Sequence, residues 1–162
     1  MTHASPARRV RRPKSSTPTW HSLAEVTNQR RALWARGSDH TRWAPCGAAW
    51  DAVAVTPMSL GLDALVGLGL GTGSGYPVLA DRIRGILYVL VPPGEGSAAA
   101  MVSGVRALSG GDQLLMPCTD HGTPSAHWIS PPREVPPLLV PADRLAAQLQ
   151  DLVADHRRAV AS

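Results

Sequence analysis

The chain has 162 residues, 44% hydrophobic and 17% charged, with 15 Gly and 15 Pro; this suits one domain around one sizeable core and excludes a disordered or collagenous chain. Its formal net charge of +4 is concentrated at the start, where Arg8, Arg9, Arg11, Arg12 and Lys14 stand without an acid and leave 11 basic residues against 12 acidic ones in the rest. The body is therefore nearly neutral, which excludes a broad basic groove and leaves a tethered contact between the leader and DNA or another polyanion.

Residues 1–18 hold Pro6, Pro13 and Pro18 among Arg, Ser and Thr, with too little to bury, and read as a disordered basic leader ahead of a globular domain over 19–162. The paired arginines are followed by Pro13, Lys14 and Ser-Ser-Thr-Pro-Thr instead of an apolar export segment, so the expected location is the cytoplasm, with Cys46 and Cys118 as reduced thiols. No run approaches the roughly 20 apolar residues of a membrane span. Apolar spacing from Trp20 to Arg36 predicts a first helix closed by Gly37, and residues 38–49, with Trp43, Pro45 and Gly47, read as a connection.

Asp51 to Thr56 reads as a strand ended by Pro57, feeding a helix over 59–69 that Ser59 caps. The alternate glycines from Gly67 to Gly75 end that helix. Tyr76 to Ala80 and Ile86 to Val91 read as two strands joined around Asp81–Gly85. Ser97 to Ser103 suits either a loop or one helical turn. Val105 to Leu108 and Gln113 to Met116 read as a hairpin about Ser109-Gly-Gly-Asp112. In the strand Ala126 to Ser130, alternation puts Ala126, Trp128 and Ser130 on an inward face and His127 and Ile129 on the other, with His127 solvated. Leu145, Leu149, Leu152, Val153, His156 and Val160 recur at steps of three and four, predicting a closing amphipathic helix over 141–158 with Pro141 near its first position. The fold class expected is α+β, one domain, a mixed or antiparallel sheet with flanking helices.

Chemical motifs are sparse. The glycine run never spells G-x-G-x-x-G, no Lys-Ser or Lys-Thr follows it, and it leaves a helix where phosphate loops leave a strand. Cys118, His121 and His127, with Cys46 or His40, supply metal-type ligands at a spacing foreign to structural zinc, so no metal is expected. Neither Ser74 nor Ser125 sits in a nucleophile elbow. Asp39, Asp63, Asp81, Asp112 and Asp120 include no close acid pair, which excludes a visible two-metal site. No cofactor is implied.

Four strings taken in order carry a resemblance over about residues 49–132. They are Trp50-Asp-Ala-Val-Ala-Val-Thr-Pro57 running on to Leu68, Leu90-Val-Pro-Pro-Gly94, Gly104-Val-Arg-Ala-Leu-Ser-Gly-Gly111 leading to Leu114-Leu-Met-Pro117, and His127-Trp128. This order resembles the amino-terminal primase-polymerase domain of archaeo-eukaryotic primase type, found on many actinobacterial and plasmid proteins. Arginine supplying 15 of the 16 basic residues, together with the absence of Phe, fits coding in a GC-rich bacterial genome. The resemblance implies two metal-holding acids one residue apart at the end of the first strand, a phosphate-holding histidine and a third acid. Ala54 and Thr56 stand at the pair, Leu87 at the histidine and Arg106 at the third acid; Asp51 and Asp63 do not restore the pair under a slip of one or two positions. No catalytic residue is assigned. The expectation is a non-catalytic relative, a pseudoenzyme acting as an accessory or regulatory binding protein, with nucleic-acid contacts on Arg8, Arg9, Arg11, Arg12 and Lys14. Two rivals are a small enzyme around Cys118, His121 and His127, and an interaction module whose closing helix docks on a protein partner.

Overall fold

The computed structural model describes residues 41–117, 122–134 and 136–162. The basic leader, the helix predicted over 20–36, and His40, Cys118 and His121 lie outside the described residues. Within them the fold is α+β, and every strand pairing is antiparallel.

Six strands form one sheet in the order β5-β2-β4-β3-β8-β7: β2 (Asp51–Val55), β3 (Val78–Asp81), β4 (Ile86–Val91), β5 (Val105–Leu108), β7 (Gly122–Thr123) and β8 (Ala126–Ser130). Its two faces are covered by different things. Val53, Val55, Leu87, Val89 and Val91 point to one face and pack with α1 (Met58–Gly67) and α2 (Ala142–Ala161) in the larger core. Ala52, Leu79, Leu90 and Leu108 point to the other, where Leu114 and Cys46 complete a second, smaller core. That second cover is a ribbon of β1 (Thr41–Pro45) and β6 (Gln113–Pro117), paired with Trp43 opposite Leu115 and Arg42 opposite Met116.

This two-sided cover explains the composition of the strands. All five residues of β2 are buried, which is why Asp51 to Val55 reads as an unbroken small apolar run rather than an alternation. Asp51 is tolerated there because its Oδ2 accepts from the N–H groups of Gly94 and Gly96, tying down the turn after β4. Helix α1 begins at Met58, one residue before the expected start, on Pro57 and without a side-chain cap, so Ser59 is not the cap. It carries Gly61 because a Cβ there would lie 2.6 Å from Leu87 Cδ2; the glycine lets the helix sit directly on β4. Helix α2 starts at Ala142 with Pro141 as its N-cap residue, and Asp143 lies in its first turn.

Three expectations are corrected. Thr41–Pro45 is a strand, not part of a connection; it lacks a β-branched run and takes its pairing from β6, remote in sequence. Val105–Leu108 and Gln113–Pro117 are strands but not a hairpin, since β5 pairs with β2 and β6 with β1. The Ser109–Asp112 turn carries the chain off the sheet instead, held by the Asp112 N–H to the Ser109 carbonyl at 2.9 Å and by the Ser109 N–H to Asp112 Oδ2 at 3.0 Å. Finally, His127 is 4% exposed while Trp128 is only half-buried. Alternation separates the two faces correctly, Trp128 on the ribbon side and Ile129 on the helix side, but it tells buried from solvated only when one face is wet, and here both are covered. The Ala-rich stretch resolves as a short 3-10 turn at Gly96–Ala99.

Candidate functional site

A cleft of about 580 Å³ lies on the ribbon side of the sheet, lined by Trp43, Arg84, Tyr88, Arg106, Gln113 and Ser125 among others. Register fixes its floor. Ala54 of β2 stands opposite Tyr88 of β4 on one side and Arg106 of β5 on the other. The row Arg106, Ala54, Tyr88 therefore crosses three neighbouring strands, with the small Ala54 between a cation and a phenol.

The charges around this row are unequal in what they can offer a ligand. Asp81, at the end of β3, is buried and engaged: its Oδ1 accepts from the N–H groups of Ile83 and Arg84, and its Oδ2 lies 3.8 Å from the exposed Arg84 guanidinium. Asp112 accepts from the Ser109 N–H and so serves the turn. Arg106 is exposed and has no carboxylate partner among the described residues. Burial pushes the Tyr88 phenol above its ordinary range; Asp81 adds to the rise, and Arg106 and Arg84 oppose it. Tyr88 is thus a neutral donor at physiological pH. At the rim, Trp43 is 64% exposed, an indole face open to stacking.

The cleft lining carries two guanidiniums, Arg84 and Arg106, and two carboxylates, Asp81 and Asp112. Arg84 is paired with Asp81, so Arg106 and the Tyr88 phenol are the groups of this lining that can meet a phosphate or carboxylate. Among the described residues no group of three or more His, Cys, Asp or Glu is placed to hold a metal ion.

The residues singled out from the sequence are dispersed. Leu87 is fully buried among the helices, whereas Ala54 and Tyr88 belong to the opposite face. Thr56 lies just past β2, exposed, its N–H donating to the Gly104 carbonyl. Arg106 reaches the cleft. His127 pairs in register with Ala80 and Gly122 in the interior of the sheet, away from the cleft lining. Cys46 is buried beneath the ribbon, and burial, with Asp112 and Asp51 adding to it, pushes its thiol up to about 11, the reverse of an activated nucleophile. Ser125 lines the cleft without a histidine beside it among the described lining residues, and Ser74 donates to the Gly71 carbonyl. Sequence reading missed Trp43, Arg84 and Tyr88 as a set because three separate segments supply them. The one available signal was the position of Tyr88, one residue from Leu87 and hence on the face of Ala54.

No helix among the described residues is long and apolar enough to cross a membrane. Set against models of protein families, curated proteins and solved structures, the chain matches none.

Proposed function

We propose that this chain is a cytoplasmic, non-catalytic binding protein of primase-polymerase type, an accessory or regulatory factor that engages single-stranded nucleic acid. The observation that carries this reading is the row Arg106, Ala54, Tyr88 across β5, β2 and β4. The resembled family needs anionic oxygens there to cage divalent metal; this row offers a cation and a neutral phenol, which suit a phosphate backbone. Trp43 at the rim supplies a stacking face for a base, and stacking on aromatics with cations along the backbone is how single strands are held without sequence preference. The leader, with Arg8, Arg9, Arg11, Arg12 and Lys14, adds a tethered attraction for phosphates.

Two measurements test the proposal. With Mg²⁺ or Mn²⁺ and all nucleotides, the protein is expected to extend no primer and make none; template-dependent incorporation abolished by a chelator overturns the non-catalytic reading. In titrations of an oligothymidine, the leader is expected to contribute up to about 3.5 to the log-log salt slope, roughly 0.7 per phosphate contact. Trp43→Ala should weaken what binding remains about tenfold, and Arg106→Glu should weaken it further. Binding unaffected by both substitutions removes the cleft from the reading.

A further inference from the structure

A second concavity, of about 290 Å³, opens on the same side of the sheet and is built from other residues. Arg42 of β1, Trp50 just before β2 and Trp128 of β8 stand around it, and the remaining lining is proline, leucine and methionine, with prolines arriving from before β3, the end of β6 and the segment after β8. Trp50 and Trp128 are half-buried against the smaller core. The pairing of Arg42 with Met116 places the one charge among the described lining residues at the ribbon edge of the groove.

Its chemistry is one-sided. Among the described residues, the polar side chains in the lining are all donors: two indole N–H groups and a guanidinium. Among the described residues the lining holds no carboxylate, hydroxyl or amide side chain. A fitting occupant is rich in acceptors, poor in donors and apolar between them. A proline-rich segment in the polyproline II conformation has those properties, since its carbonyls are exposed, most of its N–H groups are missing and its rings pack flat on aromatic faces. Arg42 selects an acidic residue at one end and disfavours a cationic ligand, which argues against the chain's own Arg-rich leader despite its three prolines.

We propose that the Trp50–Trp128 groove is a docking site for an extended, proline-rich segment of another protein that carries an acidic residue opposite Arg42. Among the described residues the groove shares no lining residue with the cleft at Arg106.

The test is an NMR titration of the full chain, following indole N–H resonances, with a synthetic Glu-Pro-Pro-Leu-Pro-Pro peptide and two controls, one with Lys for Glu and one with Ala for every Pro. The Glu peptide is expected to shift the Trp50 and Trp128 resonances saturably and leave Trp43 unmoved. Arg42→Glu, a change at an exposed site, should weaken the Glu peptide about threefold to fivefold, the range of one exposed ion pair, and improve the Lys peptide by a similar factor. No shift at millimolar peptide, an equal response to the alanine control, or indifference to Arg42→Glu overturns the proposal. So does tighter binding of a peptide copying residues 5–20, which makes the leader the occupant. A concentration-dependent shift of the same two resonances without peptide does likewise, by making it a second copy.

Discussion

Cys46 is the residue whose environment reports most directly on the fold. Its thiol is raised from 9.0 to about 11 by burial first, and by Asp112 and Asp51 second. A thiol held protonated in the native state but free to ionise when unfolded binds more proton in the folded form between those values. Its contribution to stability is therefore complete below about pH 9 and lost as pH rises toward 11. The loss is expected to reach about 2–3 kcal/mol. Urea unfolding from pH 8 to 11 should show that decline in the parent and a flatter slope in Cys46→Ala; equal slopes would mean that the thiol is open to water. A second pair of side chains divides in the opposite way to the alternation argument. His127, buried inside the sheet, is expected to cost about 1–3 kcal/mol on change to Ala, and the half-buried Trp128 about 2–3 kcal/mol. Thermal unfolding of the two variants side by side should thus show comparable losses, where a solvated His127 would give almost none.

Among the elements, the β2–β4 pair and the helix above it hold the least room for change. Asp51 Oδ2 serves two backbone N–H groups in the turn after β4, while Oδ1 is buried with no hydrogen-bond partner among the described residues. An amide can keep its oxygen on Gly94 and Gly96 but puts an NH2 where Oδ1 is buried without a partner, so Asp51→Asn is expected to lose about 1–2 kcal/mol. Asp51→Leu strands both N–H groups and should lose about 2–4 kcal/mol; the two outcomes are read in one set of urea curves. Gly61→Ala would gain roughly 1 kcal/mol in helix propensity anywhere exposed. Here it is expected to destabilise, because the new methyl meets Leu87 at 2.6 Å, and Gly61→Ala with Leu87→Val should recover part of the loss. The strands β2 to β6 and β8 and both described helices were legible in the sequence because local apolar runs and turn residues define them, whereas the two-residue β7 was not. The ribbon was not: Thr41–Pro45 has no strand signal of its own, and its partner lies about 70 residues on. The cleft was illegible for the same reason, since Trp43, Tyr88 and Arg106 meet only after three strands and the ribbon have assembled.

At the scale of the whole molecule, the sheet separates two cores of unequal size, and this sets the order in which the structure opens. The helix-side core gathers Val53, Val55, Leu65, Leu87, Leu145, Leu149 and their neighbours, whereas the ribbon side is held by Cys46, Ala52, Leu79, Leu90, Leu108 and Leu114. Free energy of opening follows buried apolar surface, at about 25 cal/mol per Å², so the ribbon is the cheaper layer to lift. Lifting it leaves β2, β3 and β4 paired on both sides within the sheet and still packed on α1 and α2. Native-state hydrogen exchange in rising urea is therefore expected to show two groups of amides. Those of β1 and β6 should exchange through a partial opening at least about 2 kcal/mol below the global value, and those of β2, β3 and β4 only with global unfolding. Because the ribbon supplies Trp43 to the cleft and Arg42 to the groove, the same opening dismantles both proposed binding surfaces. Ligand bound at either one should raise protection of β1 and β6 before it changes that of β4. A single exchange isotherm shared by ribbon and sheet would make the molecule one cooperative unit and remove this coupling.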